Sequence, residues 1–232
     1  MRALLAGMGA AEALAHPGEA EVLASFPKAV YLATPAGIAA LVAPGVEPGP
    51  LHVLLDASPT PEAAHIGLGG APIWRGALPD PGPLAAALPL ILEVLAPVAG
   101  GNLVPVERAA AAVLALGKGD LPEVAARLGG AGPGLTPAGD DALGGILFAL
   151  GALGCGDDLV AVARRVRTTA ISGAFLLWAA RGQALGPVHD LLAAAVAGDV
   201  PAASSAAGSL RQVGHSSGAD FAQGLSWGLS AA

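Results

Sequence analysis

The sequence has little cysteine and few aromatic residues, and each shortage narrows the class of protein. Its one cysteine, Cys155, cannot form an internal disulfide, which excludes a small disulfide-stapled scaffold. Aromatic residues make up 3% of the chain and hydrophobic residues 54%, so alanine, leucine and valine supply the apolar surface. A chain of 232 residues can bury a sizeable core without disulfide or metal staples. Cys155 lies in the apolar run Ile146–Gly156 and is therefore interpreted as a small hydrophobe rather than a nucleophile.

The sequence also lacks an excess of positive charge and any long apolar run. The formal net charge is −7, which disfavours a nucleic-acid or anionic-membrane partner. The longest apolar stretches, Leu84–Leu92 and Ala142–Gly156, are shorter than the roughly 20 residues of a bilayer span. Residues 1–10 carry one positive charge and a weak apolar run, and we interpret them as a first helix or strand rather than a signal peptide. We therefore expect a cytoplasmic protein, and the alanine-rich helices are compatible with a homo-oligomer.

The chain changes character near Pro79–Pro83. Before this point, short apolar runs alternate with turn residues and predict strands. These are Glu21–Phe26, Ala29–Thr34, Gly37–Ala43 and Leu51–Asp56. After Pro83 the apolar spacing is helical. The predicted helices are Leu84–Ala96, Val106–Leu116, Leu121–Leu128, Asp141–Leu153, Asp158–Ala180 with a break as an alternative, Val188–Ala197, Pro201–Arg211 and Ser217–Leu229.

These patterns predict an α+β protein with two domains. Residues 1–80 would form a small β-rich domain, and the short loops between its strands favour an antiparallel sheet or a small barrel. Residues 84–232 would form a larger α-helical domain that carries the candidate site.

The most distinctive segment is the glycine-rich run Gly132-Pro-Gly-Leu-Thr-Pro-Ala-Gly-Asp-Asp141. Gly132 and Gly134 allow positive φ angles, so that successive backbone amides can converge on an anion. A helix beginning near Asp140 or Asp141 would add its positive end. One aspartate could cap this helix while the other binds a metal ion, for which magnesium is the candidate, or orients a substrate amide. A plain helix cap after a glycine-rich turn is the alternative, and it explains less well why Thr136 and both aspartates occur together.

A second polar segment covers residues 164–173. At helical spacing, Arg165, Thr168, Thr169 and Ser172 share one stripe, and such a stripe suits a carboxylate or phosphate. The alternative is a solvated basic helix end whose hydroxyl groups bond back to the main chain.

A third polar segment covers residues 214–220. Ser217 and Asp220 have the spacing of a capping box, with aspartate in the usual place of glutamate. His215 and Ser216 are then left as a proton donor and a hydrogen-bonding group. A serine hydrolase is a poor fit, because the sequence has no Gly-x-Ser-x-Gly elbow.

Together the three segments resemble the AllH-like family of largely uncharacterised bacterial proteins. The residues that carry the resemblance are Gly-Pro-Gly-Leu-Thr-Pro-Ala-Gly-Asp-Asp at 132–141, Thr-Thr-Ala-Ile-Ser at 168–172 and Gly-His-Ser-Ser-Gly-Ala-Asp at 214–220. The chain departs from the family pattern at three positions. Ala138 stands where the family usually has serine, Ala142 where it often has an aromatic residue, and His215 where a small residue is expected.

The resemblance implies a carbamoyltransferase-type enzyme, or a subunit of one, that acts on a small anionic metabolite. AllH-like proteins are linked to oxamate carbamoyltransferase, which works in allantoin breakdown, a part of purine catabolism, together with two partner subunits. That enzyme converts oxalurate and phosphate into oxamate and carbamoyl phosphate. The alternatives are a non-catalytic metabolite-binding or assembly subunit and a magnesium-dependent phosphotransferase.

The resemblance also distributes roles among the three segments. Gly132, Gly134 and Thr136 would bind phosphate, while Arg165, Thr168, Thr169 and Ser172 would bind a carboxylate. The catalytic residues would be Asp140, Asp141 and His215. The aspartates would orient the ureido nitrogens or bind Mg²⁺, and His215 would donate a proton. Ser216, Ser217 and Asp220 would complete the substrate site.

Overall fold

The computed structural model describes residues 1–15, 20–62, 67–100, 104–156 and 158–232. The chain divides into two compact units, Met1–Gly76 and Ala77–Ala232. The first unit is built on a β-sheet and the second on helices, which confirms the predicted α+β class.

The first unit contains a sheet of six strands within the described ranges, in the order β2-β3-β4-β5-β1-β6. The strands are β1 Ala3–Gly7, β2 Glu21–Phe26, β3 Ala29–Thr34, β4 Gly37–Val42, β5 His52–Leu55 and β6 Ile73–Trp74. A short helix, α1 (Met8–Ala13), follows β1 and shares a buried core with the sheet. Ala10 and Ala13 of this helix lie in one cluster with Val30, Leu32 and Leu41 of the strands.

The sheet is mixed, so the prediction of a purely antiparallel sheet is wrong in this respect. Strands β2, β3 and β4 form an antiparallel meander, and β1 pairs antiparallel with β5. The pairs β4–β5 and β1–β6 are parallel. Strand β5 has only four residues and is therefore about 13 Å long, so the connection over residues 43–51 is long enough to return the chain.

The second unit contains nine helices among the residues that the structure describes. They are α2 Pro81–Leu95, α3 Val106–Leu116, α4 Leu121–Leu128, α5 Ala138–Ala152, α6 Leu159–Arg165, α7 Ala170–Ala179, α8 Gly186–Val196, α9 Val200–Arg211 and α10 Ser217–Ala231. The helix predicted over Asp158–Ala180 is therefore two helices, α6 and α7. No helix in the described ranges combines the length and the apolar character needed to cross a membrane.

Helix α5 is the central element of the second unit. Phe148 and Ala149 belong to a core shared with α2, α8, α9 and α10, whereas Leu143 and Leu147 belong to a core shared with α3, α4, α6 and α7. A helix that is apolar on all sides is expected to be surrounded by other elements. Because α5 is enclosed in this way, its first turn and the residues before it are held in fixed positions.

Helices α5 and α10 approach so closely that their backbones are in contact. A Cβ atom added at Gly224 would lie 1.7 Å from the Ala142 carbonyl oxygen, and one added at Gly145 would lie 2.2 Å from the Phe221 carbonyl oxygen. Neither position can hold a larger residue unless the two helices separate. The pattern of small residues in both helices therefore sets the distance between them.

We expect Gly224→Ala to destabilise the protein by roughly 1–3 kcal/mol or more, because the added methyl group overlaps backbone rather than a side chain that can move. The measurement is urea unfolding followed by circular dichroism. Gly208→Ala in α9 is the matched control, since among the described residues nothing lies within 4 Å of the Cβ it would add. That variant should be stabilised by about 1 kcal/mol through helix propensity. Equal effects of the two variants would contradict the close packing of α5 and α10.

Candidate functional site

The glycine-rich segment forms the loop between α4 and α5. Gly132 and Gly134 have φ angles of 124° and 92°, so both adopt the positive φ that their sequence pattern predicted. The Gly139 amide donates to the Ala131 carbonyl oxygen at 2.8 Å and closes the loop onto the first turn of α5. Helix α5 begins at Ala138 rather than near Asp141, with Pro137 as its N-cap. Neither aspartate therefore caps the helix, which corrects the sequence interpretation.

Asp140 holds the loop in place. Its side chain is buried, with 2% exposure. Its Oδ1 atom accepts a hydrogen bond from the Gly130 amide at 2.7 Å, and its Oδ2 atom accepts one from the Thr168 hydroxyl. Both carboxylate oxygens are thus engaged inside the protein, and Asp140 joins the loop, helix α5 and the connection between α6 and α7.

The predicted stripe of Arg165, Thr168, Thr169 and Ser172 does not exist as one helical face. The helix ends at Arg165, Thr168 lies in the connection, and Thr169 is the N-cap of α7. The Thr169 hydroxyl accepts from the Ser172 amide at 3.0 Å and donates to the Leu135 carbonyl oxygen at 2.5 Å. The two threonine hydroxyls therefore bond within the protein, Thr168 to the Asp140 carboxylate and Thr169 to the glycine-rich loop.

Arg165 lies in a different place from the threonines. With Gly129, Val166 and Arg167 it lines a groove of about 470 Å³. Arg165 and Arg167 are exposed. The structure does not bring Arg165 together with Asp141 or Asp220.

A second set of polar residues meets where α5 and α10 begin. We call Thr136, Asp141, Ser216, Ser217 and Asp220 the polar cluster. The hydroxyl oxygens of Thr136 and Ser217 are 3.2 Å apart, although the residues are 81 positions apart in sequence. The Ser217 hydroxyl also bonds to Asp141, and the Ser216 hydroxyl bonds to Asp220. The loop and the third polar segment therefore form one site.

The predicted capping box is absent. Ser217 is the first residue of α10 and Ser216 is its N-cap. Within the described part of the chain, the Ser216 side chain makes no capping hydrogen bond to the helix backbone. The serine hydroxyls instead contact carboxylates, which is why the sequence spacing was misleading.

Two carboxylate oxygens of the polar cluster lack partners. Asp141 Oδ2 and Asp220 Oδ2 are both buried, and neither has a hydrogen-bond partner among the described residues. Asp220 as a whole is 1% exposed. A buried polar atom without a partner costs free energy, so two such atoms in one polar cluster indicate a place where a ligand or a proton completes the bonding.

The environment of the cluster favours neutral carboxyl groups. Burial raises the pKa of Asp141 to about 8; the hydrogen bond from Ser217 opposes this shift, and the negative charges of Asp220 and Asp140 add to it. Burial also raises the pKa of Asp220, against the hydrogen bond from Ser216. A carboxyl group with a pKa near neutrality can give or take a proton under physiological conditions.

A cavity of about 330 Å³ adjoins the polar cluster. Asp220 and Gln223 are its polar lining residues, and its apolar walls are formed by Val104, Val106, Ala109, Ala142 and Trp227. Sequence analysis missed Gln223 and Trp227, although they follow Asp220 by three and seven residues and so lie on the same helical face. His215 is exposed in the turn before α10.

Asp140 and Asp141 were the predicted magnesium ligands, but both carboxylate oxygens of Asp140 already accept hydrogen bonds within the protein. Within the described ranges, no group of three or more histidine, cysteine, aspartate or glutamate side chains is placed to hold a metal ion. Magnesium usually takes one or two protein carboxylates and completes its shell with water or phosphate. Of the two predicted ligands, Asp141 has a carboxylate oxygen without a hydrogen-bond partner among the described residues.

The segment that contains the loop and the polar cluster matches a known family. Residues 128–229 match the family model described as oxamate carbamoyltransferase subunit AllH. Over these residues, which we call the AllH-like segment, the chain is similar to that family. No curated protein and no solved structure matches the chain. The AllH-like segment includes every candidate site residue, from Gly132 to Asp220.

We expect Thr168→Val to destabilise the protein by about 1–3 kcal/mol, because it leaves a buried oxygen of Asp140 without a donor. Thr168→Ser keeps the hydroxyl and should cost less. Urea unfolding of both variants measures the difference. The bracing role of Asp140 would be contradicted if valine and serine had the same effect.

A further prediction concerns the dependence of stability on pH. The pKa of Asp141 is raised on folding, so its contribution to stability is lost progressively as pH rises through about 8. Asp141→Asn is always neutral, and its thermal midpoint relative to wild type should therefore increase between about pH 5 and about pH 9. Glu93→Gln, an exposed control in α2, should follow the wild-type profile. If the Asp141→Asn and wild-type profiles run parallel, Asp141 is not the titrating group.

Proposed function

We propose that this chain is a carbamoyltransferase subunit that binds a small anionic metabolite of the oxalurate, oxamate and carbamoyl phosphate class. The observation that carries the proposal is the pair of unpartnered carboxylate oxygens on Asp141 and Asp220, inside the segment that matches the AllH model. The family is described as a subunit, so partner subunits are part of the proposal.

The chemistry of carbamoyl transfer fits the groups in the polar cluster. In the direction that consumes oxalurate, an oxygen of hydrogen phosphate attacks the ureido carbonyl carbon and a carbon–oxygen bond forms. The carbon–nitrogen bond then breaks, and the leaving nitrogen takes up one proton to become the amide of oxamate. The neutral carboxyl of Asp141 supplies this proton, and the proton of the attacking hydrogen phosphate returns to the carboxyl pair. The hydroxyls of Thr136 and Ser217, which bond to each other and, through Ser217, to Asp141, would hold the Asp141 carboxyl in position for this transfer.

The proposed roles differ from those expected from the sequence. Asp140, Thr168 and Thr169 position the loop, because their polar atoms already bond within the protein. Asp220, rather than Asp140, is the proposed second catalytic carboxylate beside Asp141. Asp141 fits the role of proton donor better than His215, since His215 is exposed.

The predicted substrate-binding roles of Gly132, Gly134, Arg165 and Ser172 remain part of the proposal. The backbone amides at Gly132 and Gly134 are the proposed phosphate contacts, because the positive φ angles turn them out of the regular backbone pattern. Arg165, in its separate groove, and Ser172, which is buried at the start of α7, are weaker candidates for binding substrate.

A second candidate is a subunit that binds the metabolite and does not turn it over. The description of the matching family as a subunit favours it. The two candidates are separated by incubating the purified chain with labelled carbamoyl phosphate and oxamate and measuring oxalurate. Product from the isolated chain supports an enzyme, whereas binding without product supports a binding subunit.

We expect carbamoyl phosphate or oxamate to raise the thermal midpoint of the purified chain. At a concentration about 100 times the Kd, binding adds about 2.7 kcal/mol to the free energy of unfolding. The Asp141→Asn, Asp220→Asn double variant should lose this shift. The Glu93→Gln, Asp190→Asn double variant removes two exposed carboxylates of the same unit and should keep it.

ATP with magnesium tests whether the chain is instead a phosphotransferase. A shift produced only by ATP with magnesium would contradict the proposal and favour a phosphotransferase. The absence of a shift with all of these ligands would also contradict the proposed binding site.

A further inference from the structure

We infer that the groove between α4 and α6 is a second binding site, which takes a small molecule with an apolar body and an anionic head group. None of the residues of the polar cluster lines this groove, so the two sites are separate. The ligand differs from the proposed substrate, which has no apolar body. The site therefore goes beyond the proposed function and gives Arg165 a ligand of its own.

The size and the lining of the groove are typical of a small-molecule site. Its volume is about 470 Å³. Small-molecule sites usually enclose roughly 300–1,000 Å³ and have apolar walls with a few polar groups. The charged lining residues of the groove are Arg165 and Arg167, and the other lining residues are apolar or glycine. These others are Pro122, Ala125, Ala126, Gly129, Val162 and Val166.

The apolar walls remain uncovered because each helix buries only part of its surface. Val124 of α4 and Ala163 of α6 belong to one buried core. The groove-lining residues recur every three or four positions along each helix and so form a different face. The apolar side chains on this face are exposed or partly exposed. The apolar body of a ligand would remove them from water, which is favourable.

The two arginines provide the preference for an anion. Both side chains are exposed, and neither has a hydrogen bond or an ion pair with another described residue. A guanidinium group binds a carboxylate or a phosphate through two parallel hydrogen bonds. Among the described residues, no acidic side chain lines the groove, although the formal net charge of the chain is −7. The groove is thus a locally positive place on an acidic protein.

The carboxylates of the two helices are already engaged elsewhere. Glu123 of α4 is paired with Arg127, with 2.6 Å between its Oε1 atom and Nη2 of the arginine. Asp120 and Asp158 are the N-caps of α4 and α6, and each accepts a backbone amide of the first turn. These caps are at the opposite end of their helices from the two groove arginines. The charge of those arginines is therefore available to a ligand.

The backbone, rather than a helix, sets the position of Arg167. The last residue of α6 is Arg165, and Val166 has an extended conformation with a ψ angle of 128°. A Cβ atom added at Gly130 would lie 2.9 Å from the Arg167 carbonyl oxygen, so a glycine is needed where the two segments meet. Basic residues in the last turn of a helix offset its dipole, which accounts for Arg164 and Arg165. This effect does not account for Arg167 or for the apolar walls beside it.

The test uses probes that separate the two features of the ligand. Hexanoate and hexyl phosphate have both the chain and the charge, whereas hexanol lacks the charge and acetate lacks the chain. Titration of the isotope-labelled full chain, followed by NMR, should show at least about tenfold tighter binding of one of the two long-chain anions than of hexanol or acetate. The backbone amides that shift should be those of the groove, such as Ala126 and Val166. A carboxylate site would prefer hexanoate, and a phosphate site would prefer hexyl phosphate.

The first variant removes the charge of the groove. Arg165→Gln, Arg167→Gln should weaken binding of the long-chain anions by about tenfold or more, because charge-assisted hydrogen bonds are lost. The matched control is Arg108→Gln, Arg164→Gln, which removes two exposed arginines that do not line the groove. This control should bind the anions as the wild type does.

The second variant fills the groove and keeps its charge. Ala126→Phe places a ring in the groove from an exposed position of α4, so the protein should fold while anion binding is lost. Ala202→Phe, at an exposed position of α9, is the matched control and should keep binding. Circular dichroism shows that each variant is folded.

Several outcomes would overturn the inference. Equal binding of hexanoate, hexanol and acetate, or no binding of either long-chain anion, would each do so. Binding that survives Arg165→Gln, Arg167→Gln, or amide shifts confined to the polar cluster, would do the same. Loss of oxamate binding in that variant would assign the groove to the substrate instead. Asp141→Asn, Asp220→Asn should keep anion binding in the groove, so this result does not depend on the proposed function.

Discussion

The contact between the backbones of α5 and α10 is the constraint on which the candidate site depends. Gly145 and Gly224 let the two helices approach until backbone atoms touch. This approach places Asp141, in the first turn of α5, beside Ser217 and Asp220, in the first turn of α10. A larger distance between the helices would leave each carboxylate facing solvent, where its pKa would be ordinary and its bonding satisfied by water. The unusual chemistry of the cluster is therefore a result of helix packing.

The two adjacent aspartates, Asp140 and Asp141, have different surroundings although they lie in the same helical turn. Side chains of neighbouring residues project about 100° apart around a helix. Asp140 points to Gly130 and Thr168 and fixes the loop, whereas Asp141 points to Ser217 and Asp220. By fixing the loop, Asp140 helps to keep the Asp141 carboxylate buried, because movement of the loop would let water reach the polar cluster. Neighbouring residues of the same type thus have different contacts because of direction alone.

Much of the fold could be predicted from the sequence because the signals are local. Strands β2 to β5 and most helices follow from apolar spacing and from glycine and proline at their ends. The mixed sheet could not be predicted, since parallel pairing of β4 with β5 depends on a return of the chain that no local pattern records. The sequence indicates a possible break between α6 and α7 but not its position, and this break removes the expected stripe of Arg165 and the threonines.

The three polar segments of the site could be found in the sequence, but their internal contacts could not. The glycine pattern predicted positive φ at Gly132 and Gly134, and the structure has it. Which aspartate is free depends on where α5 begins, and that is fixed by Pro137 and by burial rather than by the aspartates themselves. The spacing of Ser217 and Asp220 predicted a cap, whereas the serine bonds to a residue from another helix.

Thr136 and Ser217 are 81 residues apart in the sequence, and this separation determines when the site can form during folding. No short piece of the chain contains the polar cluster, so it cannot form as a local turn early in folding and must await the docking of α10 on α5. A ligand bound at the polar cluster, as proposed, would contact both α5 and α10 and would therefore hold these helices together. Occupancy of the site and attachment of α10 would then be one coupled equilibrium, in which a shift of either shifts the other.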